Sequence, residues 1–135
     1  MNEIHLPRTI INRLLSHAQS SGDAEVCGLI GALNGQATTL YPIPNVSTDQ
    51  RHRFAMDPHA QIAAMRQMRE AGEELFAIYH SHPDSPAAPS ATDITEAAYP
   101  GALYLVISLD TQGVLELQGF YIRNAEVMPV PLKVV

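Results

Sequence analysis

The chain has 135 residues, a net charge of -6 from 8 Lys plus Arg against 14 Asp plus Glu, and 46% hydrophobic residues. That length and composition predict one domain over residues 1–135 with a real core, and exclude a coiled coil, a collagen-like fibre and a charged disordered tail. The acidic balance, without clustered cations, argues against a nucleic-acid partner, and no window approaches the ~20 uninterrupted apolar residues of a membrane helix. The start, Met1 to Arg8, lacks the basic-then-apolar order of a secretory signal, so the expected address is the cytoplasm. Cys27 is the single cysteine, which rules out an internal disulfide and a zinc site held by several thiolates of one chain.

In chain order, Pro7 to about Ser20 reads as a helix with Ile11, Leu14, Leu15 and Ala18 on one stripe and Gly22 as its stop. Val26 to Leu33 reads as a buried strand, Asn34-Gly35 as a hairpin turn, and Gln36 to Ile43 as the returning strand. The polar run from Pro44 to Gln50 predicts a loop, and Arg53 to Met56 a short strand. Asp57 then caps a helix that opens on Pro58, takes apolar contacts from Ile62, Met65 and Met68, and stops at Gly72. Leu75 to His82 reads as a strand ended by Pro83, Ser90 to Ala98 as a short helix, and Leu103 to Leu109 as a strand. Two or three further strands follow, punctuated by Gly113 and Asn124. This order of hairpins at both ends and a helical crossover between predicts an α/β fold on a mixed sheet.

His80 and His82 stand two apart at the end of a predicted strand. A pleat sends positions i and i+2 to the same face with Cα atoms about 6.5–7 Å apart, so both imidazoles can reach one ion at roughly 2.0–2.1 Å. Ten residues separate His82 from Asp93, enough for a loop to return a carboxylate as third ligand. Two nitrogens and one oxygen leave a fourth position for water, the arrangement of a catalytic zinc site. The tetrad Ser90-Ala91-Thr92-Asp93 reads equally well as a helix start, with a hydroxyl cap and a carboxylate in the first turn. Taken alone, Glu25 reads as an exposed strand-edge charge and Cys27 as a small buried apolar residue. His5, His17, His52 and His59 have no partner at ligand spacing. Arg51 and Arg53 read as solvated and Asn45 as a loop anchor, with contact to a substrate as the second reading.

Glu25-Val26-Cys27-Gly28-Leu29-Ile30-Gly31, then His80-Ser81-His82-Pro83, then Pro89-Ser90-Ala91-Thr92-Asp93, resembles the signature of the JAMM or MPN-plus metalloproteases. Together with Tyr41 to Asn45 and Arg53 to Pro58, the pattern is similar to the compact bacterial branch that acts on ubiquitin-like sulfur-carrier proteins. The resemblance implies a mixed, strongly curved sheet flanked by helices, of cytidine-deaminase-like architecture. It implies His80, His82 and Asp93 as ligands of one Zn2+ with a bound water, Glu25 as general base and acid, and Ser90 as donor to the developing oxyanion. The implied substrate is the C-terminal tail of a ubiquitin-like carrier, cut at a peptide or isopeptide bond. Two other readings are a catalytically silent module of the same fold and a non-haem iron enzyme using the same two His and one Asp.

Overall fold

A computed structural model describes residues 3–112 and 114–135. Met1, Asn2 and the expected break at Gly113 lie outside the described residues. The elements are β1 (Ile4–Leu6), α1 (Arg8–Gln19), β2 (Cys27–Leu33), β3 (Gln36–Ile43), α2 (Pro58–Glu70), β4 (Glu74–His82), α3 (Ala91–Glu96), β5 (Leu103–Ser108), β6 (Glu116–Arg123), β7 (Glu126–Val130) and β8 (Leu132–Val134). Six strands form one sheet in the order β3-β2-β4-β5-β6-β7, and β1 pairs with β8 in parallel beside it. Within the six, only β4 and β5 run parallel, and α3 lies on the connection between them. The α/β class and mixed sheet expected from the pattern are therefore present.

The alternation of each strand splits the core between the two faces of the sheet. On one face Ile10, Leu14 and Ala18 of α1 pack against Val26, Ile30, Ala77, Tyr79, Leu105 and Ile107. On the other, Ala64 and Met68 of α2 pack against Cys27, Leu29, Ile78 and Tyr104. Even positions of β4 thus face α2, so His80 and His82 share the face of Ile78. In the antiparallel register of β2 with β4, Cys27 stands opposite His80. One step further, Ser81 donates its backbone N–H to Val26 O at 3.0 Å, which brings Glu25 opposite His82.

The β2–β3 turn has both Asn34 and Gly35 at positive φ, 52° and 79°, the geometry that Asn-Gly favours because it matches strand twist. Gly72, at φ 73°, closes α2 as expected. Several features differ from the sequence pattern for physical reasons. β1 carries no sequence signal because three residues are too few to show alternation; its pairing with β8 is a tertiary contact. Helix α1 stops at Gln19, before Gly22, with Ser20 Oγ donating to His17 O at 2.6 Å. Arg53–Met56 forms no strand but a single bridge, Asn45 to Met56, because the segment is held by one side chain described below. Ile62 points outward, 59% exposed, since the buried stripe of α2 runs through Ala64 and Met68; Asp57 precedes the helix without a capping hydrogen bond from its side chain.

Gly28 lies under the ring of Tyr79, a fully buried residue opposite it in β4. A Cβ at position 28 would sit 2.4 Å from the Tyr79 ring, closer than any real contact. Gly28→Ala is expected to lower stability by about 1–3 kcal/mol or more through overpacking, whereas Gly22→Ala, with open space around it, should change little. Denaturant midpoints of the two variants check the contrast; equal midpoints would contradict it.

Candidate metal centre

His80 and His82 project from the last turns of the β4 pleat and both are buried. Their Nε2 atoms are 3.1 Å apart, and Asp93 Oδ2 lies 2.9 Å from His80 Nε2 and 3.1 Å from His82 Nε2. Three donor atoms thus form a nearly equilateral triangle. Ligands at 2.0–2.1 Å from a tetrahedral ion are separated by about 3.3 Å, so the triangle fits one face of such a tetrahedron with little adjustment.

Asp93 owes its position to α3. Ser90 Oγ accepts the Asp93 N–H at 3.0 Å while Asp93 Oδ2 accepts the Ser90 N–H at 2.8 Å, a complete capping box. The two readings of the Ser90–Asp93 tetrad are therefore compatible: the capping box aims the same oxygen at the imidazoles. On the β4 side, His82 Nδ1 donates to Pro86 O at 2.8 Å, which leaves Nε2 as the nitrogen turned to the centre. Ser108 Oγ donates to Ser85 O at 2.7 Å and pins the loop that carries that carbonyl. His80 is held differently. Phe54 stacks on its ring, with centroids 4.6 Å apart and planes at 25°, and the His80 Nδ1 has no hydrogen-bond partner among the described residues.

Glu25 is 3% exposed and offers a carboxylate oxygen within 4.8 Å of ring nitrogens of both His80 and His82. Its Oε1 is buried without a partner among the described residues, the kind of orphaned polar atom that a bound ion or water would satisfy. An exposed edge charge, the reading of Glu25 taken alone, is thus replaced by a buried one. Burial pushes the Glu25 pKa up to about 8, with Asp93, Asp49 and Asp84 adding to the rise and His82 opposing it. Burial also opposes the charge of Asp93, yet hydrogen bonds from His80 and His82 hold it well below the usual carboxylate range. Burial lowers the pKa of His80, outweighing Asp93; for His82 the bonds to Asp93 and Pro86 outweigh burial and raise it.

Cys27, directly behind the site, is fully buried, and burial pushes its thiol up to about 12, which removes it as a nucleophile. Arg51 is not simply solvated: its Nε donates to Asp84 Oδ2 at 2.9 Å and its Nη1 reaches Asp23 Oδ1 at 3.4 Å, spanning the segments that carry Glu25 and His82. His17 is engaged elsewhere, its Nδ1 2.7 Å from Tyr79 Oη.

A groove of about 290 Å³ runs beside Phe54, the ring stacked on His80, and is lined also by Met56, Gln61, Ile78, Glu96, Tyr99 and Tyr104. The larger cavity, about 520 Å³, lies by Asn34, Gly35 and Phe76 at the other end of β4, away from the imidazoles. Volume and chemistry therefore do not coincide, and the converging donors locate the site.

The profile of the prokaryotic homologs of the JAB domain matches residues 7–119. The chain belongs to this family. Among JAB-family relatives, it is 37% identical to a desampylase from Haloferax volcanii over 72% of this chain and 74% of that one. It is 30% identical to the CysO-cysteine peptidase of Mycobacterium tuberculosis over 93% of this chain and 87% of that one. The solution structure of a Desulfitobacterium hafniense protein superposes with a TM-score of 0.85 at 31% identity, covering 97% of this chain and 92% of that one. Among the described residues, no helix is long and apolar enough to cross a membrane.

Phe54, Ser108 and the Pro86 carbonyl went unmarked by the sequence as parts of the centre. The pair His80-x-His82 marks a strand face; nothing in it says which distant ring or carbonyl supports that face.

A carboxyl with a raised pKa binds its proton more tightly in the folded chain than in the unfolded one, so ionising Glu25 costs metal-free protein stability as pH rises from about 4.5 to about 8. Glu25→Gln should therefore raise the melting temperature of chelator-treated protein more at pH 8 than at pH 5. Equal differences at the two pH values would contradict a buried, proton-binding Glu25.

Proposed function

We propose that this protein is a zinc-dependent peptidase or isopeptidase that cuts at the C-terminus of a ubiquitin-like, sulfur-carrier-type protein. The observation that carries the reading is the convergence of His80, His82 and Asp93 within 2.9–3.1 Å beside a buried, unpartnered Glu25 oxygen. The substrate class is supported by relatives named as desampylase and CysO-cysteine peptidase.

His80 Nε2, His82 Nε2 and Asp93 Oδ2 would hold the ion, two nitrogens and one oxygen being a donor set suited to zinc. When bound, zinc supplies a Lewis acid that lowers the pKa of a water ligand to about 7 and polarises a carbonyl. The chain's own residues do the rest. Glu25, buried and 4.8 Å or less from the ring nitrogens, takes the proton of the attacking water and returns it to the leaving amine. A pKa lifted by burial suits both halves of that task, because the group must hold the proton between steps. Ser90 Oγ accepts one hydrogen bond, from Asp93 N–H, so its own proton remains free to donate to the developing oxyanion. Asp93 stays anionic throughout. The groove between Phe54 and Tyr99, apolar but for Gln61 and Glu96, receives an extended tail that leads past Phe54 to the centre.

Glu25→Gln should bind stoichiometric zinc and lose turnover by about 10²–10⁴-fold, because it removes the proton carrier and leaves the three ligands. Asp93→Ala or His82→Ala should lose metal and activity together, and Ser90→Ala should lower kcat by roughly 10²-fold. Elemental analysis of purified variants, paired with mass spectrometry of a ubiquitin-like carrier bearing a C-terminal extension, reads all of these. Wild-type turnover by Glu25→Gln, or iron with oxygen-dependent activity in the native protein, would overturn the assignment.

A further inference from the structure

Glu25 precedes the first residue of β2 and so lies beyond the ladder that fixes its neighbours. Its carboxylate gains no anchorage from Oε1, which has no partner. Its position relative to His80 and His82 thus depends on how its backbone is held, by the register of β2 on β4 and by contacts outside the sheet. The Glu25 N–H donates to Gln50 O at 2.7 Å, and the Glu25 carbonyl accepts Asn45 Nδ2 at 2.9 Å. Both partners belong to the loop between β3 and α2. The peptide of that carbonyl is held to the sheet from its other side, Val26 N–H donating to Ser81 Oγ at 2.9 Å, so Asn45 and Ser81 grip the Glu25 peptide together.

Asn45 is also what gives that loop its shape. Its Nδ2 donates a second bond to Arg53 O at 3.2 Å, and its Oδ1 accepts the N–H groups of Ser47 and Ala55, each at 3.0 Å. Two donors and two acceptor sites are the whole capacity of a carboxamide, and all four are used. Three of the four bonds close the loop on itself across positions 45–55; the fourth joins it to Glu25. The same loop lays Phe54 on the His80 ring.

We propose that Asn45 is a positioning residue for Glu25, its carboxamide setting the distance between the proton carrier and the metal-facing imidazoles. The proposal rests on reading Glu25 as the general base. It assigns Asn45 to the loop and, through the loop, to the rate of the chemical step, while contact with the substrate tail forms no part of its role.

The experiment is Asn45→Asp, which keeps the Oδ1 acceptor for Ser47 and Ala55 and removes both N–H donors. The variant should retain stoichiometric zinc and an unchanged KM, with kcat lower by roughly 10–100-fold, the scale of a small misplacement of a reacting group. In a Glu25→Gln background the same change should cause no further loss of residual kcat, since no carboxylate is left to position. An unchanged kcat, a rise in KM alone, loss of zinc, or an equal loss in the Glu25→Gln background would each overturn the proposal. Wild-type turnover by Glu25→Gln itself would instead remove the base assignment, a separable result. Should Asn45→Asp not fold, hydrogen exchange in the wild-type protein decides the matter. Asn45 side-chain amide protons should exchange far more slowly than those of exposed Asn12; equal rates would overturn the grip.

Discussion

One constraint underlies the site: a β-pleat repeats every two residues, and Asp93 meets the pair of imidazoles that this repeat places together. His80 and His82 share a face only because β4 runs without a bulge from Ala77 to His82, in register with β5 on one side. Burying two imidazoles and a carboxylate in that space is costly unless their polar atoms are matched; backbone groups match Asp93 and His82, while His80 Nδ1 is left without a partner among the described residues. Asp93 is held by the capping box of α3, and His82 by the Pro86 carbonyl. The carboxylate is thus fixed before any ion arrives, which favours binding over a floppy ligand set that would have to be ordered at the same time.

Three stretches of chain meet β4 at the centre, through four kinds of interaction. The sheet register brings Glu25 opposite His82; the helix cap brings Asp93; aromatic stacking brings Phe54; a single carboxamide organises the loop that touches Glu25. Arg51 adds an electrostatic tie across the rim, between Asp23 and Asp84. Because that tie is half exposed, it contributes little to stability, and its value lies in holding two site-bearing segments near one another.

What could be read from the sequence follows the range of the forces concerned. Local signals were legible: Asn34-Gly35 as a tight turn, Gly72 as a helix stop, Ser90-x-x-Asp93 as a helix start, and His80-x-His82 as a one-face pair. Ile62 misled because helical spacing gives a stripe without saying which of two adjacent stripes meets the sheet, and here small Ala64 allows the close approach. Arg53–Met56 misled because its extended backbone is bonded to the Asn45 side chain, a contact no periodicity encodes. The short pair β1 and β8 joins the two ends of the chain, so neither segment signals it alone. Glu25 was legible through resemblance to the metalloprotease signature, whereas its burial and its backbone tethers follow from the register of β2 on β4 and from the loop.

The most direct measurement is zinc K-edge X-ray absorption on the metal-loaded protein and on His82→Ala. The account predicts two imidazole nitrogens with the remaining near neighbours oxygen at about 2.0–2.1 Å in the wild type, and loss of that two-imidazole signature in the variant. A sulfur neighbour, a single imidazole or three in the wild type, or an unchanged spectrum in His82→Ala would contradict it.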